Sequence, residues 1–257
     1  MARVGAPRAA WRRGDLYDYL HAVEKPMFAW EWLRRTSAYR RAWARACRDG
    51  PVAQGRAAFA FGLVTLLSPR LAAPDARPIW RAGCDPHVLQ AHVSSDVSGC
   101  RDLLDIRRLA RAAEFAFAGE DAEHWRIEIA GHAVRIDVHD GTLLGGPTPL
   151  RFELFGLEAA RPQLPPLDLL IRAALDLQPR PKPPHEPRAA RWIGELRTAD
   201  ALAAGASQQE IARAMFDRSV PAHDWRAQGE SYRLRVQRLV RAARARLRTP
   251  LDPRWFS

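Results

Sequence analysis

Apolar residues recur at helical spacing along the last quarter of the chain. Over residues 188–203 they form one stripe, and Gly205 follows where a left-handed C-cap belongs, so this helix is expected to end there. Ser207 and Glu210 have the spacing of a capping box, which predicts a second helix over 207–216. Two such helices around a tight turn are typical of the first pair in bacterial helix-turn-helix regulators. A purely structural helix pair is the alternative.

A third, longer helix is predicted over Glu230–Arg248. Its inward face is expected to contain Tyr232, Val236, Leu239, Val240, Ala243 and Leu247. A different face carries Arg233, Gln237, Arg241, Arg244 and Arg248. The connection that precedes this helix, 217–229, is longer than the usual turn, and we expect Trp225 within it to cover the core.

This third helix is strongly basic. Between positions 226 and 248 the sequence has eight arginines and one carboxylate, Glu230, although a solvated face would alternate acids with bases because like charges at i,i+4 repel. The missing acids favour an external anion such as the phosphate backbone of DNA.

The candidate DNA-binding residues follow from how a recognition helix docks. Its N-terminal part contacts base edges and the remainder contacts phosphates. The candidates for base edges are Ser231, Arg233, Arg235 and Gln237. The candidates for phosphates are Arg238, Arg241, Arg244 and Arg248. The preceding helix adds Ser207, Gln208, Gln209 and Arg213.

The N-terminal part of the chain is predicted to form a small helical module. One helical pattern begins at Leu16, a second follows Pro26, and a third starts at Ser37, which we expect to be its N-cap. Aromatic residues alternate with arginines here, which fits either a small core with a solvated basic face or a surface for a partner or DNA. The candidate partner-binding residues are Trp30, Trp32, Arg34, Arg35 and Tyr39.

The middle of the chain is predicted to contain a small antiparallel sheet. Alternation of apolar and polar residues predicts half-buried strands over 125–130 and 134–139, and a third strand over 150–155. Helical patterns cover 103–117 and 167–177, and a buried helix or strand is expected at 59–67.

These elements define the predicted organisation. Five prolines between positions 179 and 187 predict a stiff spacer. The predicted fold class is α+β, with a small helical N-terminal module, a small antiparallel sheet and a C-terminal helix-turn-helix variant with a long turn. The predicted domains are 1–60, 61–187 and 188–257.

The charge of the chain lies at its two ends. The formal net charge is +11. Residues 1–60 contain twelve basic and five acidic side chains, and residues 188–257 contain fourteen basic and seven acidic ones. The middle, 61–187, contains fourteen basic and seventeen acidic side chains and is slightly acidic. Clustered cations favour a polyanion partner. The alternative is compositional, since Lys25 and Lys182 are the only lysines and an arginine-rich chain is expected of a GC-rich genome.

Other chemistry finds little support in the sequence. Three widely spaced cysteines imply no disulfide framework, and no segment resembles a signal core or a membrane span, so we expect a cytoplasmic protein without a membrane partner. No common zinc pattern is matched by the spacing of Cys84, His87, His92 and Cys100. On the predicted strands, His132 is expected to have a structural role. The sequence contains no phosphate-binding glycine loop and no catalytic dyad, so we expect neither a bound cofactor nor enzymatic activity.

Two parts of the chain resemble modules of known transcription regulators. The phrase Phe28-Ala-Trp-Glu-Trp-Leu-Arg-Arg resembles the small regulator module of proteobacterial integrative and conjugative elements. Residues from about 85 to 250, including Val134-Arg-Ile-Asp-Val and Ser207-Gln-Gln-Glu-Ile-Ala, resemble the variant helix-turn-helix domain of the same regulators. Ala242 interrupts the arginine run of the last helix, which is a departure from the pattern.

The resemblance implies a role as well as a fold. Fusion of both modules is similar to FseA-type activators of element excision, whereas copies of the second module alone act as antiactivators. We therefore predict a DNA-binding activator, with promoter DNA, RNA polymerase and an antiactivator as implied partners. The alternative is an antiactivator that binds a related regulator and not DNA.

Overall fold

The chain is described by a computed structural model that covers residues 10–94, 103–109, 113–117, 122–177, 186–216 and 230–257; of Glu230 only the backbone is described. These residues pack into two units. The first combines the described parts of 1–40, 68–77 and 185–255, and the second combines those of 41–67, 78–184 and 256–257. Both units are discontinuous in sequence, whereas the predicted domains are contiguous modules.

The first unit is helical. Three short 3₁₀ segments, Ala10–Arg12, Gly14–Ala22 and Pro253–Trp255, frame it. Its α-helices are α1 (Lys25–Leu33), the start of α2 (Ser37–Asp49), α4 (Ala73–Ala76), α8 (Ala189–Ala203), α9 (Gln208–Met215) and α10 (Glu230–Arg248).

Aromatic side chains form the centre of this first unit. Phe28 and Trp192 meet edge to face with ring centroids 5.0 Å apart, and Trp192 meets Trp255 in the same way at 4.7 Å. All three are buried. Edge-to-face pairs of this kind add to the free energy gained from burial alone, so they fix α8 against α1 and the C-terminal 3₁₀ segment.

The second unit contains helices around one mixed sheet. Its helices are the rest of α2, then α3 (Pro51–Ala60), α5 (Ile106–Leu109), α6 (Leu157–Ala160) and α7 (Leu164–Ala174). Its strands are β1 (Leu89–Val93), β2 (Ala113–Phe117), β3 (Ala122–Ile129), β4 (His132–His139) and β5 (Leu150–Glu153).

The strand order of the sheet is β2-β3-β4-β1-β5. All neighbouring pairs are antiparallel except β1 and β4, which are parallel with Leu89 opposite Ile136. One face of the sheet packs against α7 in an apolar core that includes Ile127, Ile136 and Leu170. The opposite face carries buried polar residues, among them Arg135 and Asp137, as the alternation along β4 requires.

The predicted fold class is confirmed, and several element predictions need correction. The helix predicted over 103–117 is wrong, because among the described residues of that range only the four of α5 are helical, and Ala113–Phe117 is strand β2. Phe115 of β2 stacks on Trp125 across the strand pair at 4.9 Å. Strand β1 was not predicted. The segment expected to be buried at 59–67 contains the end of α3 and an isolated bridge from Leu63 to Trp80.

Smaller corrections concern the N-terminal module and the connections. The pattern at Leu16 forms a 3₁₀ segment, and Thr36, rather than Ser37, caps α2, since its Oγ1 accepts from the Tyr39 amide at 3.2 Å. Most of the proline-rich spacer, the connection 217–229 with Trp225, and Cys100 lie outside the described residues. No helix in the described ranges is both long and apolar enough to cross a membrane.

Candidate nucleic-acid interface

The turn between α8 and α9 has the predicted capping geometry. Gly205 adopts φ +80°, and the Ala206 amide donates to the Ala201 carbonyl at 2.9 Å, which is the bond of a Schellman C-cap. At the start of α9 the Glu210 amide donates to Ser207 Oγ at 3.2 Å, and the Ser207 amide donates to Glu210 Oε2 at 2.9 Å. The capping box is therefore present.

The capping carboxylate is also held from the N-terminal segment. Arg12 donates from a terminal guanidinium nitrogen to Glu210 Oε1 at 3.0 Å. The backbone N–H of Ser207, together with its hydroxyl, lowers the pKa of Glu210, and Arg12 adds to this effect. The box consequently keeps its negative charge at the N-terminus of α9, where the helix dipole favours it.

Small apolar residues bring α8, α9 and α10 together. A buried cluster joins Ala201, Ile211, Ala212, Val236 and Val240, and Trp11 closes it from the N-terminal segment. Because alanine allows a close approach of two helices, α9 lies directly against both of its neighbours. This packing orients α10 so that its apolar stripe faces inward.

The opposite face of α10 carries exposed cations. Arg238, Arg241, Arg244 and Arg248 are all exposed, together with Gln237. Within the described part of the chain, none of these four arginines forms an ion pair with a carboxylate. Residues 237 to 248 extend over about 16 Å of helix axis, which is long enough to follow several phosphates of a duplex.

The candidates for base contacts at the start of α10 differ in exposure. Ser231 and Arg235 are exposed, whereas Arg233 is half-buried. The Arg235 guanidinium lies 4.3 Å from the ring centroid of Phe216 at the end of α9, in a cation–π contact. Arg235 is therefore held in one position and still reaches solvent.

The candidates in α9 have a mixed environment. Ser207 and Gln208 are exposed, and Gln209 and Arg213 are half-buried. The Ser207 hydroxyl lies 3.0 Å from Glu210 Oε2 and accepts from the Glu210 amide, so its hydrogen-bonding capacity serves the cap. Gln208, by contrast, is an exposed polar side chain in the first turn of α9.

One arginine of α10 has a structural role that the sequence pattern did not indicate. Arg246 donates to Glu195 Oε2 at 3.4 Å, lies 3.9 Å from an Asp252 oxygen, and stacks over Trp255 at 4.5 Å. Glu195 is buried and also accepts from Arg191 at 2.9 Å. Arg246 thus neutralises a buried carboxylate and is separate from the exposed cationic face.

The partner surface predicted in the N-terminal module needs correction. Trp30, Trp32 and Tyr39 are fully buried, and the side chains of Arg34 and Arg35 are only 12% and 8% exposed. Both arginines pair with the buried Glu31, and Trp30 donates to the Leu71 carbonyl at 3.0 Å. These five residues form the interior of the first unit, so the prediction of a partner surface there is not retained.

The residues considered for metal binding lie in other environments. Burial raises the pKa of the Cys84 thiol, and the His87 ring contacts Asp85 at 3.1 Å. His92 contacts Asp140 at 2.7 Å in the second unit. Among the described residues, no group of three or more His, Cys, Asp or Glu side chains has a metal-binding arrangement.

Two family models match separate parts of the chain. Residues 10–62 match a proteobacterial transcriptional regulator-like domain, and residues 166–248 match the DNA-binding domain of a T6SS transcription factor. No curated protein matches the chain. Both matched families are transcription regulators and not enzymes, and the second match contains every candidate DNA-binding residue. The matches support a DNA-binding transcription regulator, with DNA as a partner.

Proposed function

We propose that this chain activates transcription by placing α10 along promoter DNA. In this proposal Ser231, Arg235 and Gln237 face base edges in the major groove, and the arginines further along the helix contact phosphates. The single observation that carries the proposal is the exposed arginine face of α10, which no described carboxylate neutralises.

Electrostatics explains why this face suits a duplex. Four arginines on one helix repel one another, so the unbound face raises the free energy of the folded chain slightly. Phosphates remove this repulsion and release condensed counterions, which drives association. Glu195 and Asp252 do not neutralise the exposed arginines. The residue of α10 with which these two carboxylates pair is Arg246, which lies on a different side of the helix.

The capped helix pair supplies the rigid support that such a contact needs. Ile211 and Val240 are buried between the helices, and Ser207 fixes the first turn of α9. Phosphate contacts can set the position of a recognition helix on DNA only if that helix is held in a fixed orientation within the protein. In this proposal Gln208, exposed at the start of α9, adds a contact to the duplex backbone.

The target promoter is proposed from the resemblance of the sequence. Fusion of a regulator module to a variant helix-turn-helix module is similar to FseA-type activators, so we propose that the target controls excision or transfer of a mobile element. The matched DNA-binding domain is that of a T6SS transcription factor, and T6SS genes are the competing class of target. Reporter fusions to both classes of promoter, with and without this chain, distinguish them.

A binding experiment tests the contact helix. Fluorescence anisotropy with labelled duplexes from the promoters flanking its gene should show tight binding at low salt. Arg241→Glu and Arg244→Glu should each weaken it at least tenfold, which is about 1.4 kcal/mol. Arg161→Glu changes net charge equally at an exposed site in the second unit and is the matched control. If Arg241→Glu and Arg161→Glu bind alike, the assignment of α10 is wrong.

The dependence on salt separates the proposal from the antiactivator alternative. The slope of log K against log salt concentration should decrease in magnitude by about 1 for each phosphate-contacting arginine that is changed to alanine. An antiactivator would use the same helices to bind a related regulator and would not bind the duplexes. Absence of salt-dependent duplex binding by the wild-type chain would therefore favour that alternative.

A further inference from the structure

The solvent-facing side of α2 forms a second cationic surface. Arg41, Arg45 and Arg48 recur at i, i+4 and i+7, so their side chains leave the helix on one side, and all three are exposed. Tyr39 and Ala46 are buried and are also seven residues apart, which places them on the opposite side of the helix. The surface formed by the three arginines is called the α2 face below.

The α2 face has little negative charge near it. Asp49 is the one acidic residue of α2, and it approaches Arg45 at 3.4 Å in a pair whose side chains are 80% and 49% exposed. A pair this exposed contributes little to stability and leaves the guanidinium accessible. Within the described ranges, neither Arg41 nor Arg48 pairs with a carboxylate. Because like charges at i,i+3 and i,i+4 repel, an external anion would stabilise this face.

Several exposed arginines elsewhere in the second unit have a carboxylate beside them. Arg107 donates to Asp105 at 2.8 Å, and Arg172 donates to Asp168 at 2.8 Å. An arginine-rich composition thus does not by itself leave an arginine without a neighbouring acid. The α2 face differs, because three arginines share one side of a helix and only the middle one has such a neighbour.

We propose that the α2 face contacts the phosphate backbone of the promoter duplex, in addition to the contact made by α10. This inference rests on the proposed function, which supplies promoter DNA as the partner. From Arg41 to Arg48 the helix rises by about 10 Å. A duplex carries one negative charge per about 1.7 Å of its axis, so each of the three guanidinium groups can lie near a different phosphate.

The composition of α2 favours a duplex over an acidic protein surface. No large apolar side chain is exposed on α2, which the structure describes from end to end. Protein–protein interfaces have an apolar core, whereas protein–DNA interfaces are more polar and more positively charged. Arginine also donates to phosphate oxygens in a bidentate manner, which suits all three positions of the face.

Contacts at the start of α2 hold the helix in position. Thr36 Oγ1 accepts from the Tyr39 amide at 3.2 Å and caps the first turn. The Tyr39 ring meets Trp30 edge to face, with centroids 5.4 Å apart, and both rings are fully buried. A phosphate contact from this helix therefore requires no ordering of the backbone on binding, so the free energy of the contact is not reduced by that cost.

Fluorescence anisotropy of the full chain with the duplex that wild type binds tests the α2 face. Arg41→Ala and Arg48→Ala should each reduce the magnitude of the slope of log K against log salt concentration by about 1, and R41A/R48A by about 2. Neither change removes a described ion pair, so circular dichroism should show a folded chain. Arg161→Ala, an exposed arginine of the same unit, is the control and should keep the slope of wild type. If R41A/R48A also keeps that slope, the inference is wrong.

The same slopes should be obtained on a duplex of unrelated sequence. Phosphate contacts carry no sequence information, so R41A/R48A should weaken binding to both duplexes by the same factor. If R41A/R48A binds both duplexes like wild type but no longer activates a reporter gene, the α2 face binds a protein instead of DNA, which overturns the inference.

Arg241→Glu, measured with the same duplex, separates this inference from the proposed function. If Arg241→Glu weakens binding and R41A/R48A does not change the slope, the contact by α10 stands and the α2 face is wrong. If R41A/R48A reduces the slope and Arg241→Glu binds like wild type, the α2 face is supported and the assignment of α10 is wrong. A wild type that binds no duplex overturns the proposed function and, with it, this inference.

Discussion

The Arg35 guanidinium donates to both carboxylate oxygens of Asp200, from Nε and from a terminal nitrogen, each at 2.8 Å. Arg35 follows α1, within the residues that match the regulator-like domain, and Asp200 belongs to α8, within the residues that match the DNA-binding domain. Tyr17 donates to the same carboxylate at 2.6 Å. One largely buried arginine and a partly exposed aspartate thus join the two matched regions of the chain in a single unit.

Removing this carboxylate should destabilise the first unit. Asp200→Asn is expected to lower the free energy of unfolding by about 3 kcal/mol, because it leaves Arg35 buried without one of its two charged partners. Urea unfolding followed by tryptophan fluorescence measures the loss. Asp168→Asn breaks the exposed pair with Arg172 on α7 and should cost at most about 0.5 kcal/mol. Equal losses for the two variants would show that the Arg35–Asp200 pair contributes little.

The same pair should make stability depend on pH at the acid end. Burial alone would raise the pKa of Asp200, but the charge and hydrogen bonds of Arg35 outweigh it, so the pKa lies below its ordinary value; Glu31 behaves similarly through Arg34 and Arg35. A lowered carboxyl pKa contributes stability that is complete above the ordinary value and is lost as pH falls through the folded value.

The free energy of unfolding of wild type should therefore decrease as the pH drops below about 4.5. The difference in this free energy between wild type and Asp200→Asn should become smaller as acid protonates Asp200. Urea unfolding at several pH values between about 6 and 3 measures this difference. A difference that stays constant over this range would mean that Asp200 does not titrate with a lowered pKa.

The helices of the proposed DNA-binding region could be predicted because their signals are local. The bounds of α10 and the capping box of α9 follow from residues within a few positions of one another, such as Ser207 and Glu210. The strands β3 and β4 were also predicted, because their alternation is strong and a short turn at Gly131 joins them.

The remaining features depend on contacts between distant parts of the chain. Strand β1 is defined by pairing with β4, more than forty residues later, and no local pattern distinguishes it. The burial of Trp30 and Arg35 depends on Leu71 and on Asp200, 165 residues from Arg35. Aromatic residues beside arginines look alike in a core and on a surface until such partners are known.

The capping box gives a local test of stability. Ser207→Ala should lower the free energy of unfolding by about 1 kcal/mol, because the Glu210 amide loses its acceptor at the start of α9. Thermal or urea unfolding measures the change, and Gln208→Ala, one position further along, is the control, with an expected change within about 0.5 kcal/mol. An unchanged melting temperature for Ser207→Ala would mean that the cap contributes nothing.

Two arginines at the end of α10 should separate stability from DNA binding. Arg246 holds the buried Glu195 and stacks on Trp255, whereas Arg248 is exposed. Arg246→Ala should lower the free energy of unfolding by about 2 kcal/mol, since Glu195 loses a charged donor and Trp255 loses a cation–π contact. Arg248→Ala should leave stability within about 0.5 kcal/mol of wild type and weaken duplex binding.

The comparison needs both measurements on both variants. Urea unfolding gives the stability, and anisotropy with the same duplex at a temperature where both variants are folded gives the affinity. Under those conditions Arg246→Ala should bind close to wild type, because its guanidinium faces the protein interior and no phosphate. If Arg246→Ala instead weakens binding as much as Arg248→Ala while the chain stays folded, then the cationic face extends around α10 and the separation of the two roles is wrong.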